Sequence, residues 1–277
     1  MIENLDQNQI IFIIITMALS AIPVGFMAGL FGIGGGLITV PVLFYIFSSI
    51  GLDEAFIMHL AVGTSFAIII PTSIISTMTH MKYKAVDFNI VKTFGIFVIL
   101  GVIFGTIFAA NLKTASLILF FSIMTMFFAL IFLTSKEKIN PKQKEINLFF
   151  RTILGFSSGF LSAPMGICGG IINTPILKMF GYSINTAIGS SAAIGFLIAL
   201  IGALGFIISG SYLNIQAPLS IGFVNIPAFM IFVPITMFMA KIGAKTVHKF
   251  DKRLIGKLFG IYLFIISCKL FYEYFSF

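Results

Sequence analysis

The sequence predicts an all-α polytopic membrane protein built from two homologous halves. Of its 277 residues, 59% are hydrophobic and only 9% are charged, which is too apolar a composition for a soluble domain. Ten apolar stretches follow one another, and a helix needs about 20 such residues to cross the hydrocarbon core. They lie at 9–30, 37–50, 55–79, 89–109, 115–133, 150–163, 171–180, 184–208, 219–240 and 255–274. We therefore expect about 8–10 membrane segments, with a Gly-broken helix in each half.

The evidence for two halves is a repeated glycine-rich motif. Residues 32–43 read GIGGGLITVPVL and residues 166–177 read GICGGIINTPIL, identical at 7 of 12 positions without a gap. A second pair follows in the same order, because Gly63-Thr64-Ser65 is answered by Gly189-Ser190-Ser191. This order predicts an internal duplication. We divide the chain into a first membrane repeat (1–133), a cytoplasmic linker loop (134–150) and a second membrane repeat (151–277).

The net charge of +8 is concentrated in three loops, at 80–88, 134–150 and 241–257. Basic loops beside membrane spans face the cytoplasm, so this charge indicates topology and gives no reason to expect a nucleic-acid partner. If all three loops lie on one side, each half crosses an odd number of times and the halves are inverted repeats. A substrate site is then expected near the midplane, where the repeats meet. Eight full spans with parallel halves stay open as an alternative.

Each glycine motif lies within an apolar segment, where it is expected to break a membrane helix. Thr39 and Asn173 are aligned and are predicted to be N-caps of the helices that follow, with Pro41 and Pro175 in the first turn. Both halves would then aim free N–H groups and a partial positive charge at the interior, which suits an anion. The alternative is that these glycines serve close packing, as in Gly25-xxx-Gly29, Gly101-xxx-Gly105 and Gly155-xxx-Gly159.

From these motifs we predict a set of substrate-binding residues around the two breaks. It comprises Gly34, Gly35, Gly36, Thr39, Thr64, Ser65, Cys168, Gly169, Gly170, Asn173, Ser190 and Ser191. The apolar interior supports an anionic substrate, since the 62 residues from Met179 to Ala240 include no acidic or basic residue and no histidine. His59 and His80 are candidates for proton coupling, although a histidine near a span end often only meets the interface. No metal site or cofactor is predicted.

The sequence favours transport over catalysis. Secondary transport of a small anion is the first hypothesis, and a passive anion channel lined by the same groups is the second. An intramembrane hydrolase with Ser65 or Ser191 as nucleophile is a remote third, because Phe66 and Ala192 follow those serines where a glycine would be expected. We therefore expect a non-enzymatic, multi-pass membrane protein whose partners are a small anion and the bilayer. The anion, the transport direction, the coupling ion and homo-oligomer formation stay open.

Several motifs resemble those of the sulfite exporter TauE/SafE family of membrane permeases. In the first half they are Gly29-Leu30-Phe31-Gly32-Ile33-Gly34-Gly35-Gly36 with Pro41, then Gly63-Thr64-Ser65 and the His80–Asp87 stretch. The second half adds Gly189-Ser190-Ser191 and the run from Ser220 to Asn225. The similarity as a whole covers essentially residues 10–275. Cys168 in place of the middle glycine and Ala163-Pro164 upstream are departures. The resemblance implies a bacterial inner-membrane permease for sulfite, sulfonates or sulfoacetate.

Overall fold

The computed structural model describes residues 6–134, 146–213, 217–246 and 252–276. The described residues form ten helices: α1 (Gln7–Phe31), α2 (Gly36–Ser49), α3 (Ile57–Lys82), α4 (Phe88–Ala110), α5 (Thr114–Thr134), α6 (Leu148–Met165), α7 (Gly170–Met179), α8 (Ile184–Tyr212), α9 (Ile226–Thr246) and α10 (Lys252–Tyr274). Seven of them, all except α2, α6 and α7, are long and apolar enough to span a membrane. The prediction of an all-α polytopic membrane protein is confirmed.

Every predicted apolar stretch contains one helix, and the bounds differ substantially in only one case. The stretch 219–240 was expected to be helical throughout, but α9 begins only at Ile226. Before it, strand β1 (Ser220–Ile221) pairs antiparallel with β2 (Val224–Asn225). Leu219 and Gly222 adopt left-handed φ values of 52° and 55°, which turn the chain and prevent a helix from starting there.

The five helices of each half pack in matching ways. In the first half α2 packs on α3, and in the second half α7 packs on α8. Between halves, α1 packs along α9 as α6 does along α4, and α3 contacts α9 as α8 contacts α4. Two further contacts join equivalent helices, α3 with α8 and α5 with α10. Exchanging the halves therefore reproduces the main helix pairs. Residues 135–145 of the predicted linker lie outside the described part of the chain.

The equivalent helices α3 and α8 run antiparallel at the centre of the protein. A Cβ atom built on Gly63 would lie 3.1 Å from Phe206 Cβ, and one on Gly202 would lie 2.9 Å from the Phe66 ring. Residue numbers therefore rise along α3 in the direction in which they fall along α8. Phe66 and Phe206 are both fully buried, with ring centroids 5.9 Å apart.

The equivalent helices α5 and α10 are also antiparallel. Ser267 Oγ donates a hydrogen bond to the Ser122 carbonyl over 2.8 Å. Ten residues later on α5, Phe132 Cβ would lie 3.0 Å from a Cβ on Gly260. Exposed apolar side chains on the outer helices, such as Phe127 and Ile261, give the protein a surface that is compatible with lipid.

Small residues bring α1 against α9, and α4 against α6, at backbone distance. A Cβ on Gly29 would overlap the Ala240 carbonyl oxygen, and one on Gly159 would overlap the Val98 carbonyl oxygen. Both helix pairs are parallel, because Gly25 lies beside Thr236 and Gly29 beside Ala240, and Gly101 likewise lies beside Phe156 and Gly105 beside Phe160. The close-packing interpretation of the small-xxx-small pairs is confirmed at these interfaces.

Candidate functional site

Both glycine motifs interrupt the helical backbone where the sequence predicts a break. The first break separates α1 from α2 at residues 32–35, and the second separates α6 from α7 at residues 166–169. Left-handed φ angles between 60° and 79° occur at Gly32, Gly34, Gly35, Gly166 and Gly169. Only glycine adopts such angles without strain, so the motif residues are needed for the turn itself. Cys168, aligned with Gly34, does not adopt a left-handed φ, so the two breaks differ in backbone path.

The predicted N-caps are wrong. Gly35 caps α2 and Gly169 caps α7, both in the left-handed conformation. The Thr39 and Asn173 N–H groups donate to the carbonyls of these glycines over 3.0 Å and 2.7 Å, so both residues lie inside the first turn. A glycine cap lets the helix begin directly at the turn, before a side-chain cap is reached. Pro41 and Pro175 consequently fall in the second turn.

The two breaks cross each other in the protein interior. A Cβ on Gly36 would overlap the Gly166 carbonyl oxygen, and one on Gly170 would overlap the Gly32 carbonyl oxygen. Cys168 Sγ lies 3.3 Å from the Gly32 oxygen and is positioned to donate to it. The start of each short helix thus packs against the end of the long helix of the other half. The structure brings together the two glycine segments that the sequence singled out.

Ser65 contacts the second break, and Ser191 contacts the helix that follows it. Ser65 Oγ on α3 donates to the Gly166 carbonyl over 2.8 Å. On α8, Ser191 Oγ accepts from Thr174 Oγ1 over 3.0 Å, which ties it to the first turns of α7. Ser65 and Ser191 are fully buried. Ser65 therefore holds the second break itself, whereas Ser191 holds α7.

Thr64 and Ser190 lie one residue earlier and fix the starts of two other helices. Thr64 Oγ1 accepts the Asn225 N–H, and Ser190 Oγ accepts the Asp87 N–H, each over 2.9 Å. Asn225 and Asp87 precede α9 and α4, and their side chains accept N–H groups of the first turns. The predicted repeat thus extends to a matched pair of helix-capping contacts, in which each hydroxyl keeps its own O–H for another partner.

A polar cluster lies beside the second break, and sequence reasoning missed two of its members. Ser158 Oγ on α6 donates to Asn173 Oδ1, while Ser162 Oγ donates to the Ser158 carbonyl over 2.6 Å. Ser158, Ser162 and Asn173 are all fully buried, and Asn173 Nδ2 has no hydrogen-bond partner. The available signal was the spacing of Ser158 and Ser162, which puts both on one face of α6.

The two candidate histidines lie at different places on α3. His80 is buried near the end of α3, with Nε2 3.1 Å from the Gly29 carbonyl just before the first break. Because a carbonyl only accepts, Nε2 carries the proton in this contact. His59 is buried near the start of α3 and stacks on Phe223 with ring centroids 5.1 Å apart. Of the two, His80 is the one in direct contact with a helix that ends at a break.

Comparison with known proteins identifies the family. A family model described as sulfite exporter TauE/SafE matches residues 17–270. The chain belongs to this family. The TauE/SafE match extends from α1 to α10 and so includes both breaks, and it confirms the resemblance recognised in the sequence.

The TauE/SafE relatives include proteins named as probable membrane transporters. One from Haemophilus influenzae is 31% identical over 94% of this chain and 98% of its own length. One from Methanocaldococcus jannaschii is 30% identical over 83% of this chain and 85% of its own length. The probable membrane transporter YunE of Bacillus subtilis is 28% identical over 90% and 94%, respectively. No solved structure matches the chain significantly. The protein is a multi-pass membrane transporter of the TauE/SafE family.

Proposed function

We propose that this transporter is a secondary permease of the cell inner membrane for a small sulfur-containing anion, such as sulfite, a sulfonate or sulfoacetate. The observation that carries the proposal is the pair of crossed helix breaks in the interior. Backbone leaves a helix inside a membrane protein only where protein or a wet cavity satisfies it, and such broken helices form the binding sites of many carriers. The sulfur class comes from the family description, sulfite exporter.

The proposed binding groups are the residues at and around the breaks. The N-terminus of each short helix offers N–H groups and a partial positive charge, which stabilise an anion without a lysine or arginine. Hydroxyl, amide and thiol groups from neighbouring positions complete the proposed set: Gly34, Gly35, Gly36, Thr39, Thr64, Ser65, Cys168, Gly169, Gly170, Asn173, Ser190 and Ser191. Because the side chains of this set are buried, transport requires the crossed breaks to part toward one side at a time.

We also propose that the halves are inverted repeats, with the basic loops in the cytoplasm. The antiparallel course of α3 against α8, and of α5 against α10, supports this arrangement. If equivalent helices cross the bilayer in opposite directions, a rocking movement that opens one break to the outside closes the other. Parallel halves would require equivalent helices to run the same way.

Cysteine labelling tests the inverted topology. In a Cys268→Ala background, which removes the exposed native thiol, we expect Glu54→Cys to react with a membrane-impermeant maleimide added outside intact cells. Ser183→Cys, in the equivalent loop of the second half, should react only after permeabilisation, because inverted halves place equivalent loops on opposite sides. Both positions are exposed. Labelling of both from the same side would contradict inversion, and Lys82→Cys provides a cytoplasmic reference.

Flux measurements on purified protein test the transport proposal. In proteoliposomes we expect saturable uptake of radiolabelled sulfite or of a short sulfonate, absent from empty liposomes. Stimulation by an imposed pH gradient would assign a proton-coupled carrier, and His80→Gln and His59→Gln would then show which histidine is involved. Flux that follows only membrane potential and does not saturate would favour a passive channel. Absence of flux with every anion in the panel would refute the sulfur-anion proposal.

A further inference from the structure

The surroundings of the two breaks differ in polarity although the breaks themselves are repeated. At the alignment that superposes the motifs, Ser158 corresponds to Val24 and Ser162 to Ala28. All four residues are buried. In the first half, Val24 closes over the break, with its Cγ1 2.6 Å from a Cβ built on Gly35. In the second half, Ile198 Cδ1 lies 2.6 Å from a Cβ built on Gly169, but the next two nearest atoms there are polar.

Two polar side-chain atoms converge on the N-cap of α7. Ser162 Oγ would lie 3.0 Å, and Asn173 Nδ2 3.1 Å, from a Cβ built on Gly169. Asn173 is fully buried, its Oδ1 is occupied by Ser158, and its Nδ2 donates to nothing. A buried amide donor without a partner is costly, so its retention here calls for a ligand. The equivalent residue Thr39 has no such surplus, because its hydroxyl donates to the Gly35 carbonyl over 3.1 Å.

We propose that the substrate anion binds asymmetrically, at the N-terminus of α7. Asn173 Nδ2 donates to one oxygen of the anion, and the N–H groups of Gly170 and Ile171 bind the others. The first break acts as the structural counterpart that closes the site, through the Gly32 carbonyl packed against Gly170. This inference rests on the proposed function, since it specifies where and how the permease holds its anion.

The donor set also defines the charge class of the ligand. Every group at the α7 N-terminus is neutral, and the nearest ionisable cation on this helix is Lys178, near its other end. The desolvation free energy of a buried ion rises with the square of its charge, so it is about four times larger for a dianion than for a monoanion of the same size. Helix N–H groups and neutral donors offset a single charge far better than two. The site therefore takes a monoanionic sulfur oxyanion, a sulfonate or hydrogensulfite, in preference to sulfate or the sulfite dianion.

Calorimetric titration of the detergent-purified full chain with methanesulfonate and with sulfate tests this site. We expect methanesulfonate to bind and sulfate to bind more weakly. Asn173→Leu should weaken methanesulfonate binding on the order of 10- to 100-fold, the value of one hydrogen bond to a charged group. Asn173→Asp should weaken it further, because a carboxylate of the same shape repels the anion. The matched control Thr125→Val, which removes a buried and unpartnered hydroxyl on α5 outside the proposed set, should leave the affinity unchanged.

Each outcome separates the site from the transport function. If an Asn173 variant elutes as an aggregate, Ser158→Ala, a smaller change that removes the hydroxyl holding the Asn173 amide by its Oδ1, must still weaken binding several-fold. Equal affinity of wild-type, Asn173 and Ser158 variants, or sulfate binding as tight as methanesulfonate, overturns the asymmetric site while leaving the permease intact. If methanesulfonate binds to the wild type but not to Asn173→Asp, and no flux is seen in proteoliposomes, the site is supported and transport is refuted. The absence of both binding and flux refutes the site and the transport function together.

Discussion

Replacing Gly170 by alanine is expected to abolish transport while the protein still inserts and purifies as a monodisperse species. The added Cβ would overlap the Gly32 carbonyl oxygen at the point where the two breaks cross. Backbone on both sides leaves no flexible side chain to yield, so the breaks must move apart. We expect uptake to fall at least about 100-fold, because small displacements of binding groups cost that much in rate. Gly36→Ala, which would overlap the Gly166 carbonyl oxygen, should behave alike.

The same substitution at Gly256 is the matched control. A Cβ on Gly256 would meet the Phe132 ring at 3.4 Å, an ordinary van der Waals contact between α10 and α5. Gly256→Ala should therefore transport at the wild-type rate, with rates normalised to reconstituted protein. Wild-type uptake by Gly170→Ala as well would show that the crossing of the breaks is dispensable, and the proposed function would lose its main support.

Apart from the start of α9, the helices of this fold were readable from the sequence because the apolar segments are bounded by residues that end a helix. The stretch 89–109, for instance, lies between Asp87 and Asn111, and α4 runs from Phe88 to Ala110 between those two residues. The two breaks were equally readable, since clustered glycines within an apolar segment have few other uses. The predicted starts of the two short helices, α2 and α7, were wrong. A pattern of side-chain caps points to Thr39 and Asn173, whereas the left-handed glycine before them decides the geometry.

Tertiary contacts explain what the sequence could not reveal about the candidate site. The spacing of Ser158 and Ser162 puts them on one face of α6, but Ser157 is adjacent in sequence, and the packing of α6 on α7 is what shows that the pair is buried. Likewise the hydrogen-bond partners of Thr64 and Ser190, which are Asn225 and Asp87, lie far away in the chain and could not be found from the repeat. The motif pair indicated where polar groups gather. Which of them retain free donors depends on contacts between helices.

The second large effect is expected at the α4–α6 interface, where Gly159→Leu should prevent correct folding. A Cβ on Gly159 would overlap the Val98 carbonyl oxygen, and a leucine adds three further carbons to that clash. Parallel helices at backbone distance have to separate along their length, which we expect to destabilise the protein by about 3 kcal/mol or more. The checks are fluorescence-detected size exclusion and thermal unfolding in detergent. We expect an aggregated peak or a markedly lowered Tm.

Ser157→Leu introduces the same side chain two residues earlier, on the exposed face of α6. It should elute and unfold like wild type, because a leucine there adds only lipid-facing surface. An unchanged Tm for Gly159→Leu would contradict the close packing of α4 on α6. Together with Gly170→Ala, this pair distinguishes two uses of glycine in one chain. Glycines between straight helices determine whether the transporter folds, whereas glycines at the crossed breaks determine whether the folded transporter moves its anion.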